Sequence, residues 1–576
     1  MHFSFFSRPR NYFLPIFISL TLGISHADPV TVTVTQASPI ETLAADGSVT
    51  GLTRAVTGAH YTFVSSDGSK VILQDATNVH YRIALASTDY TPPAAASPTP
   101  APSAPAPVPA PAAPATAAVP APPPPPVTPA PSPTISNTGL STDSSPPVAP
   151  ATSDAVTSIN KGLGKDFFST QNLWKESALL AANRLGLRLE GKTKWETSYR
   201  RYFYDREGRT YDPAAILGGK AYCVALYADA NDNPTSLLVA FTNDGDYEGV
   251  ARLQSEIFLL KQKDKDKTSS DDQKKIDDLQ AQVDAMKNSF ENDRKNEATT
   301  LTQNLTTLFG DPERTSFGSN VTTRENALRW NWNGASFLLT CEENKYNLLR
   351  IIPTDLADSH GRTERIPHDD MVAKLADAVE HRPDGDVVIT QIPMADQGLK
   401  GYCVPATWER VLRYTGVPGD MYTLSRVGGS NFGGGTSVGN VASELDATLH
   451  DYGRRAEFIN ITIIDTLSLH RYIDKGIPVF WCLNPAGYDS VEERYALVDR
   501  DKDWDAWKKL LDQSRANTKK TPLSFDGGHQ VLIIGYNPDT KEIAWSDPWG
   551  RNTQERWMTQ EEAQRCSLGT FYIITL

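Results

Sequence analysis

Residues 91–153 are built almost wholly of Pro, Ala, Ser and Thr, as in TPPAAASPTPAPSAPAPVPAPAAP. Such a composition has too little apolar side chain to bury a core, and it favours extended polyproline II. At ~3.1 Å per residue, about 60 residues reach on the order of 190 Å. The stretch is therefore a disordered tether that holds an N-terminal piece away from whatever follows, or a glycosylated or wall-spanning stalk. With 576 residues in all, the expectation is a multidomain chain of about three or four domains.

The N-terminal piece begins with a targeting pattern. Arg8 and Arg10 precede the apolar run FLPIFISLTLGI (13–24), which is short for a membrane span. Ser25-His26-Ala27 puts small residues at the −3 and −1 positions, so residues 1–27 read as a signal peptide cleaved after Ala27. An uncleaved anchor is the competing reading. No other segment approaches about 18 consecutive apolar residues, so the expected product is secreted or periplasmic, with no membrane span after cleavage. Residues 28–90 alternate apolar and polar in VTVTV, HYTFV, KVILQ and HYRIAL, with SDGSK (66–70) as a hairpin turn. They form a small antiparallel β module, loosely similar to SH3-like barrels. It is a folded spacer or a candidate site for a cell-envelope or protein partner.

Residues 160–360 read as a mixed α+β domain. LWKESALLAANRLGLRL (173–189) has helical spacing, whereas AYCVALYADA (221–230), SLLVAFTND (236–244), ALRWNWN (327–333), SFLLTCEE (336–343) and YNLLRIIPT (346–354) read as strands. A helical hairpin insertion, about 248–308, interrupts them. Its seam is Ile276, Leu279, Val283, Met286 and Phe290, and the charged KQKDKDKTSSDDQKK (261–275) is its solvated tip. Nothing in this domain declares a function.

The net charge of −13 argues against nucleic-acid binding, which needs a basic face. Five cysteines, at 223, 341, 403, 482 and 566, form no CxxC or zinc pattern, so no metal or cofactor is expected. Export permits disulfides, for instance between Cys223 and Cys341, but an odd number leaves at least one thiol over.

One of the five has a distinctive setting. QGLKGYC (397–403) is followed by VPATWERVLRYTG, which has the apolar spacing of a helix, with Pro405 in its first turn and Gly416 at its end. A thiolate is the nucleophile, and an ordinary cysteine, with a pKa of about 8.5, is mostly protonated at neutral pH. A helix N-terminus favours the negative form. His529 follows Gly527-Gly528 and opens the buried strand VLIIGY, so it is a candidate base. Asp547, in AWSDPWG, follows a second strand, KEIAW, across the Asn537-Pro538-Asp539 turn. Adjacent antiparallel strands would bring the two together, and a carboxylate there would fix the imidazole tautomer. Trp549 would shield that bond. Gln397, with the Cys403 backbone N–H, is a candidate oxyanion hole. GGSNFGGGTSVGN (428–440) lacks the Lys-Ser/Thr ending of a P-loop. It reads as a cleft-edge loop capping a helix at Thr436 or Ser437, where backbone groups would pair with an extended peptide.

Taken together, QGLKGYC, CVPA, GGHQVLIIGY and SDPWG resemble papain-like cysteine peptidases, most closely the bacteriocin-processing, double-glycine leader peptidase family, over residues 385–576. The resemblance implies a C-terminal α+β domain in which a helix carrying the cysteine packs on an antiparallel sheet. It implies Cys403, His529 and Asp547 as catalytic residues, Gln397 at the oxyanion hole, and a peptide or protein substrate. Two departures stand out. Val404 follows the cysteine where many members have glycine, and a charged stretch from Asn484 to Phe525 reads as an insertion. With no transporter span or ATPase segment, a bacteriocin-export role is not expected. A papain-fold acyltransferase with the same nucleophile, and a catalytically silent peptide-binding module, are the alternative readings.

Overall fold

The computed structural model of the protein describes residues 31–35, 38–43, 49–55, 60–66, 70–74, 80–90, 152–203, 214–247, 249–262, 270–518 and 527–576. The signal-peptide reading of residues 1–27, nearly all of the Pro/Ala-rich stretch and part of the hairpin tip lie outside the described residues. No helix among the described residues is long and apolar enough to cross a membrane.

Residues 31–84 form one six-stranded antiparallel sheet. The alternating runs give Thr31–Thr33, His60–Ser66, Lys70–Gln74 and His80–Ala84, and two further strands, Ser38–Leu43 and Val49–Ala55, complete the sheet. Val32, Val34, Ile40, Val71, Leu73 and Ile83 make its buried face. The edge strand Val49–Ala55 runs beside the helix Val438–Glu444 and the strand Ser567–Thr575.

An eight-stranded antiparallel sheet follows. Its spatial order is Glu313–Phe317, Glu325–Trp332, Ala335–Glu342, Tyr346–Pro353, Pro234–Asn243, Cys223–Asp229, Glu196–Tyr202 and Arg188–Lys192. The 173–189 stretch departs from its helical reading. A short turn at Leu173–Lys175 is followed by a helix only over Ala178–Leu185, which Gly186 ends at φ +67°, and the chain then enters the strand Arg188–Lys192. A left-handed residue cannot continue a helix, so Arg188 and Leu189 belong to the strand. Val250–Gln262 and the long helix Ser270–Phe309 pack Leu253, Ile257 and Leu260 against Ile276, Leu279 and Val283.

The central strands of this sheet are apolar at successive residues rather than alternate ones, which marks strands covered on both faces. Val224, Leu226, Leu237, Val239, Phe241, Leu349 and Ile351 face one core, shared with the helices Ser153–Leu163 and Ala178–Leu185. Cys223, Ala225, Leu238, Ala240 and Leu348 face another, where they meet Ala395, Tyr402, Ala406, Met421 and Tyr422. The second face of the sheet thus packs directly on the segment leading into Cys403. All five cysteines are free thiols, so the Cys223–Cys341 bridge does not form: Cys223 lies in this second core and Cys341 is exposed.

The last sheet runs Val379–His381, Val387–Ile389, His529–Asn537, Val479–Leu483, Ser567–Thr575 and Arg455–Phe458, with Glu542–Ser546 paired off His529–Asn537 and Arg556–Thr559 paired on Glu542–Ser546. Against it lies the helix Cys403–Tyr414, in which every residue but Arg413 is buried. Trp408 stacks on Phe480 with ring centroids 4.6 Å apart. The described part of the 484–525 stretch supplies the helices Asp489–Leu497 and Trp504–Thr518. They are tied down by Arg494 to Glu562 at 2.8 Å and by Arg500 to Asp386 at 2.7 Å.

Candidate active site

Cys403 is the first residue of its helix, and the loop before it is built on close backbone approach. Gly401 pairs with Gly434 in a parallel bridge. A Cβ on Gly401 would stand 2.9 Å from the Gly434 Cα, and one on Gly434 only 2.2 Å from the Gly401 Cα. Side chains at either position would push the Gly-rich segment off this loop, which gives the glycines around 401 and 433–435 a steric reason. Ser437 caps the helix Val438–Glu444 by accepting from the Asn440 N–H.

His529 is the first residue of its strand, reached through Gly527 at φ +103°. Its Nε2 lies 2.9 Å from Asp547 Oδ1, and the imidazole is also in hydrogen-bonding contact with the Cys403 side chain. With Nε2 engaged by the carboxylate, Nδ1 is the nitrogen left for the sulfur. Burial alone would lower the imidazole pKa, but the charge and hydrogen bond of Asp547, together with Cys403, outweigh it and raise the value to about 10. The carboxylate thus favours the protonated imidazole.

Asp547 sits just past the strand Glu542–Ser546. The pairing of Leu532 with Ser546 sets its height against His529. Its backbone is fixed by Thr553, which accepts from the Asp547 N–H at 3.0 Å and donates Oγ1 to the Asp547 carbonyl at 3.0 Å. Trp549 lies 6.0 Å from the His529 ring.

Gln397 is wholly buried. Its backbone N–H donates to the Pro548 carbonyl at 2.8 Å, linking it to the Asp547 turn. Its Nε2 donates to the Lys400 carbonyl at 3.0 Å, while Oε1 has no hydrogen-bond partner. The four expected residues are thus joined through side-chain and backbone contacts across the helix, the two strands and the loop between them. By contrast, two cavities of about 500 and 550 Å³, one lined by Lys161 and Arg184 and the other by Trp174 and Pro353, share no residue with this group.

Three contributions were not visible beforehand. Tyr488 donates its hydroxyl to Asp547 Oδ2 at 3.0 Å and stacks on Trp545 at 4.7 Å. It comes from the stretch read as an insertion, where nothing marks a tyrosine. Arg410, seven residues along the helix from Cys403, is fully buried and donates to the Pro393 carbonyl at 2.8 Å and to Ser546. It ties the Cys403 helix to both flanking segments. Thr407 Oγ1 donates to the Gln530 carbonyl at 3.1 Å, pinning the first turns of the helix to the His529 strand.

The chain matches no curated protein and no solved structure. Residues 389–569 match the model of the Peptidase_C39 like family, and the C-terminal part of the chain carries a C39-like, papain-like cysteine peptidase domain.

Proposed function

We propose that the protein is an exported cysteine peptidase in which Cys403 is the nucleophile, His529 the acid and base, Asp547 the residue that orients His529, and Gln397 an oxyanion donor. The observation that carries this reading is the 2.9 Å His529–Asp547 bond beside a Cys403 in contact with the same imidazole. Cys403 Sγ attacks a peptide carbonyl carbon, and the oxygen takes the negative charge, held by the Cys403 N–H and Gln397 Nε2. His529 gives its proton to the amide nitrogen as the C–N bond breaks and the amine leaves. A water molecule then loses a proton to His529 and attacks the thioester carbon. The acid product leaves, and the thiolate–imidazolium pair returns. Asp547 holds one imidazole tautomer throughout. In this reading residues 1–27 are removed on export and residues 91–153 act as the tether.

The test is to incubate the protein with a diverse peptide mixture and follow products by mass spectrometry, beside Cys403→Ala and His529→Ala. Cuts made by the wild type and reduced about 10⁶-fold in both variants are expected. No cut by the wild type, with thiol-probe labelling that survives both substitutions, would overturn the reading.

A further inference from the structure

The segment 394–402, which carries Gln397 and ends beside Cys403, is gripped from the eight-stranded sheet. Glu190 Oε1 accepts from the Asp396 N–H at 2.6 Å, and the Tyr202 hydroxyl donates to the Asp396 carbonyl. Just past the strand Pro234–Asn243, Asn243 Oδ1 accepts from the N–H groups of Gly245 and Asp246 and folds the chain into a tight loop. That loop reaches the segment at two places and the Gly-rich stretch at a third. Asp246 Oδ1 meets Lys400 Nζ at 3.1 Å, Asp244 takes the Tyr402 hydroxyl, and the Asp244 carbonyl accepts from Gly433 N–H at 2.7 Å.

Lys400 and Asp246 are both fully buried at the side chain. The ammonium lies 4.4 Å from the Tyr202 ring centre, with Tyr402 and Tyr422 nearby. A buried ion pair adds little net stability compared with apolar residues of the same size, but it tolerates few geometries. Here the geometry it holds is that of the Lys400 carbonyl, which accepts from Gln397 Nε2. Gly245 sits against the same place: a Cβ there would come within 2.7 Å of the Tyr402 ring and 2.9 Å of Lys400 Cδ.

We propose that the loop Asn243–Asp246 is a working part of the catalytic centre, and that Lys400 and Asp246 are positioning residues that set the oxyanion donors without touching substrate. The proposal rests on the peptidase reading. It gives the eight-stranded sheet a role in turnover: the C39-like segment alone lacks the groups that hold its oxyanion loop.

Two probes separate the functions of the site. Iodoacetamide alkylation of Cys403 needs the sulfur and His529 but no oxyanion hole. Acetyl-glycylglycinal binds by forming an S–C bond at its aldehyde carbon, and the carbonyl oxygen then occupies the hole, as in acyl transfer. In the full chain, Lys400→Met combined with Asp246→Asn leaves no unpaired charge, and Gly245→Ala displaces the loop with both charges kept. Expected in either variant is a loss of aldehyde affinity, and of kcat with KM nearly constant, on the order of 10²-fold, while the alkylation rate stays within about twofold of wild type. Equal aldehyde affinity in variants and wild type, or a parallel fall in aldehyde binding and alkylation, would overturn the proposal. A wild type that neither cleaves peptides nor binds the aldehyde would instead sink the peptidase reading itself.

Discussion

On one wall of the site, His529 and Asp547 are 18 residues apart and meet because their strands are neighbours joined by a short turn. On the other wall, Asp396 and Lys400 of the Gln397 loop take their partners Glu190 and Asp246 from 206 and 154 residues away. The first wall is a hairpin, whose register follows from local pairing. The second exists only when two sheets have closed on each other. The contrast teaches that, in the peptidase reading proposed above, the acid–base half and the oxyanion half of one centre depend on different amounts of the chain. Damage to the hairpin should therefore harm proton transfer, and damage to the sheet interface should harm oxyanion binding.

The sharpest way to break this comparison is Asp547→Asn. The imidazole loses the carboxylate that raises its pKa, while Gln397 keeps its contacts with Pro548 and Lys400. Turnover should fall on the order of 10⁴-fold. In the wild type the cationic imidazole should persist until the pH nears about 10, and with it the protonated acid that turnover needs. In the variant that alkaline limit moves down. The stability sign is fixed by the same shift. His529 has its pKa raised above an ordinary value of about 6.5, so its contribution is complete below about pH 6.5 and is lost as the pH rises through about 10. Asp547, Cys403 and, more remotely, Arg410 are the ionisable groups that bear on it. Turnover profiles of the two proteins against pH check the claim, and superimposable profiles would defeat it.

How much could be read beforehand divides along the same line. The glycines before Cys403 and His529, the strand–turn–strand around 537–541 and the helix after Cys403 are local patterns, and the four residues of the proposed site were chosen from them. AYCVALYADA and SLLVAFTND were readable as strands. That they are covered on both faces emerged only from the structure, and the identity of the second cover, Ala395 to Tyr422, is a long-range fact with no local trace. Lys400 looks like any loop lysine until Asp246 is placed beside it. The LGLRL turn was misjudged because helical spacing runs through Gly186, whose left-handed backbone ends the helix.

The far side of the nucleophile helix gives a test of intermediate size. Glu409 is fully buried and bonds Arg200 from the eight-stranded sheet at 2.9 Å, Arg413 at 3.1 Å and the Met421 N–H at 2.9 Å. Glu409→Ala leaves Arg200 buried with only Glu190 to balance it, and removing one member of a buried pair costs on the order of 3–5 kcal/mol. Denaturant unfolding should show that loss. If the two sheets closed independently of this pair, the midpoint would hardly move.

The smallest effect should come from Tyr488, the one group in the charged stretch that touches the Asp547 carboxylate directly. Its hydroxyl supplies Oδ2 with a donor, while Oδ1 serves His529. Tyr488→Phe keeps the stacking on Trp545 and removes only that bond. A hydrogen bond to a charged acceptor is worth about 1.5–3 kcal/mol, but His529 still holds the carboxylate, so the lower end applies and about a tenfold fall in kcat is expected. Because Tyr488 acts on the hairpin wall, aldehyde affinity should survive while the alkaline limit of turnover drifts, the reverse of the Lys400 pattern. A Tyr488→Phe protein that lost aldehyde binding and kept its pH profile would show that the two walls are not separable after all.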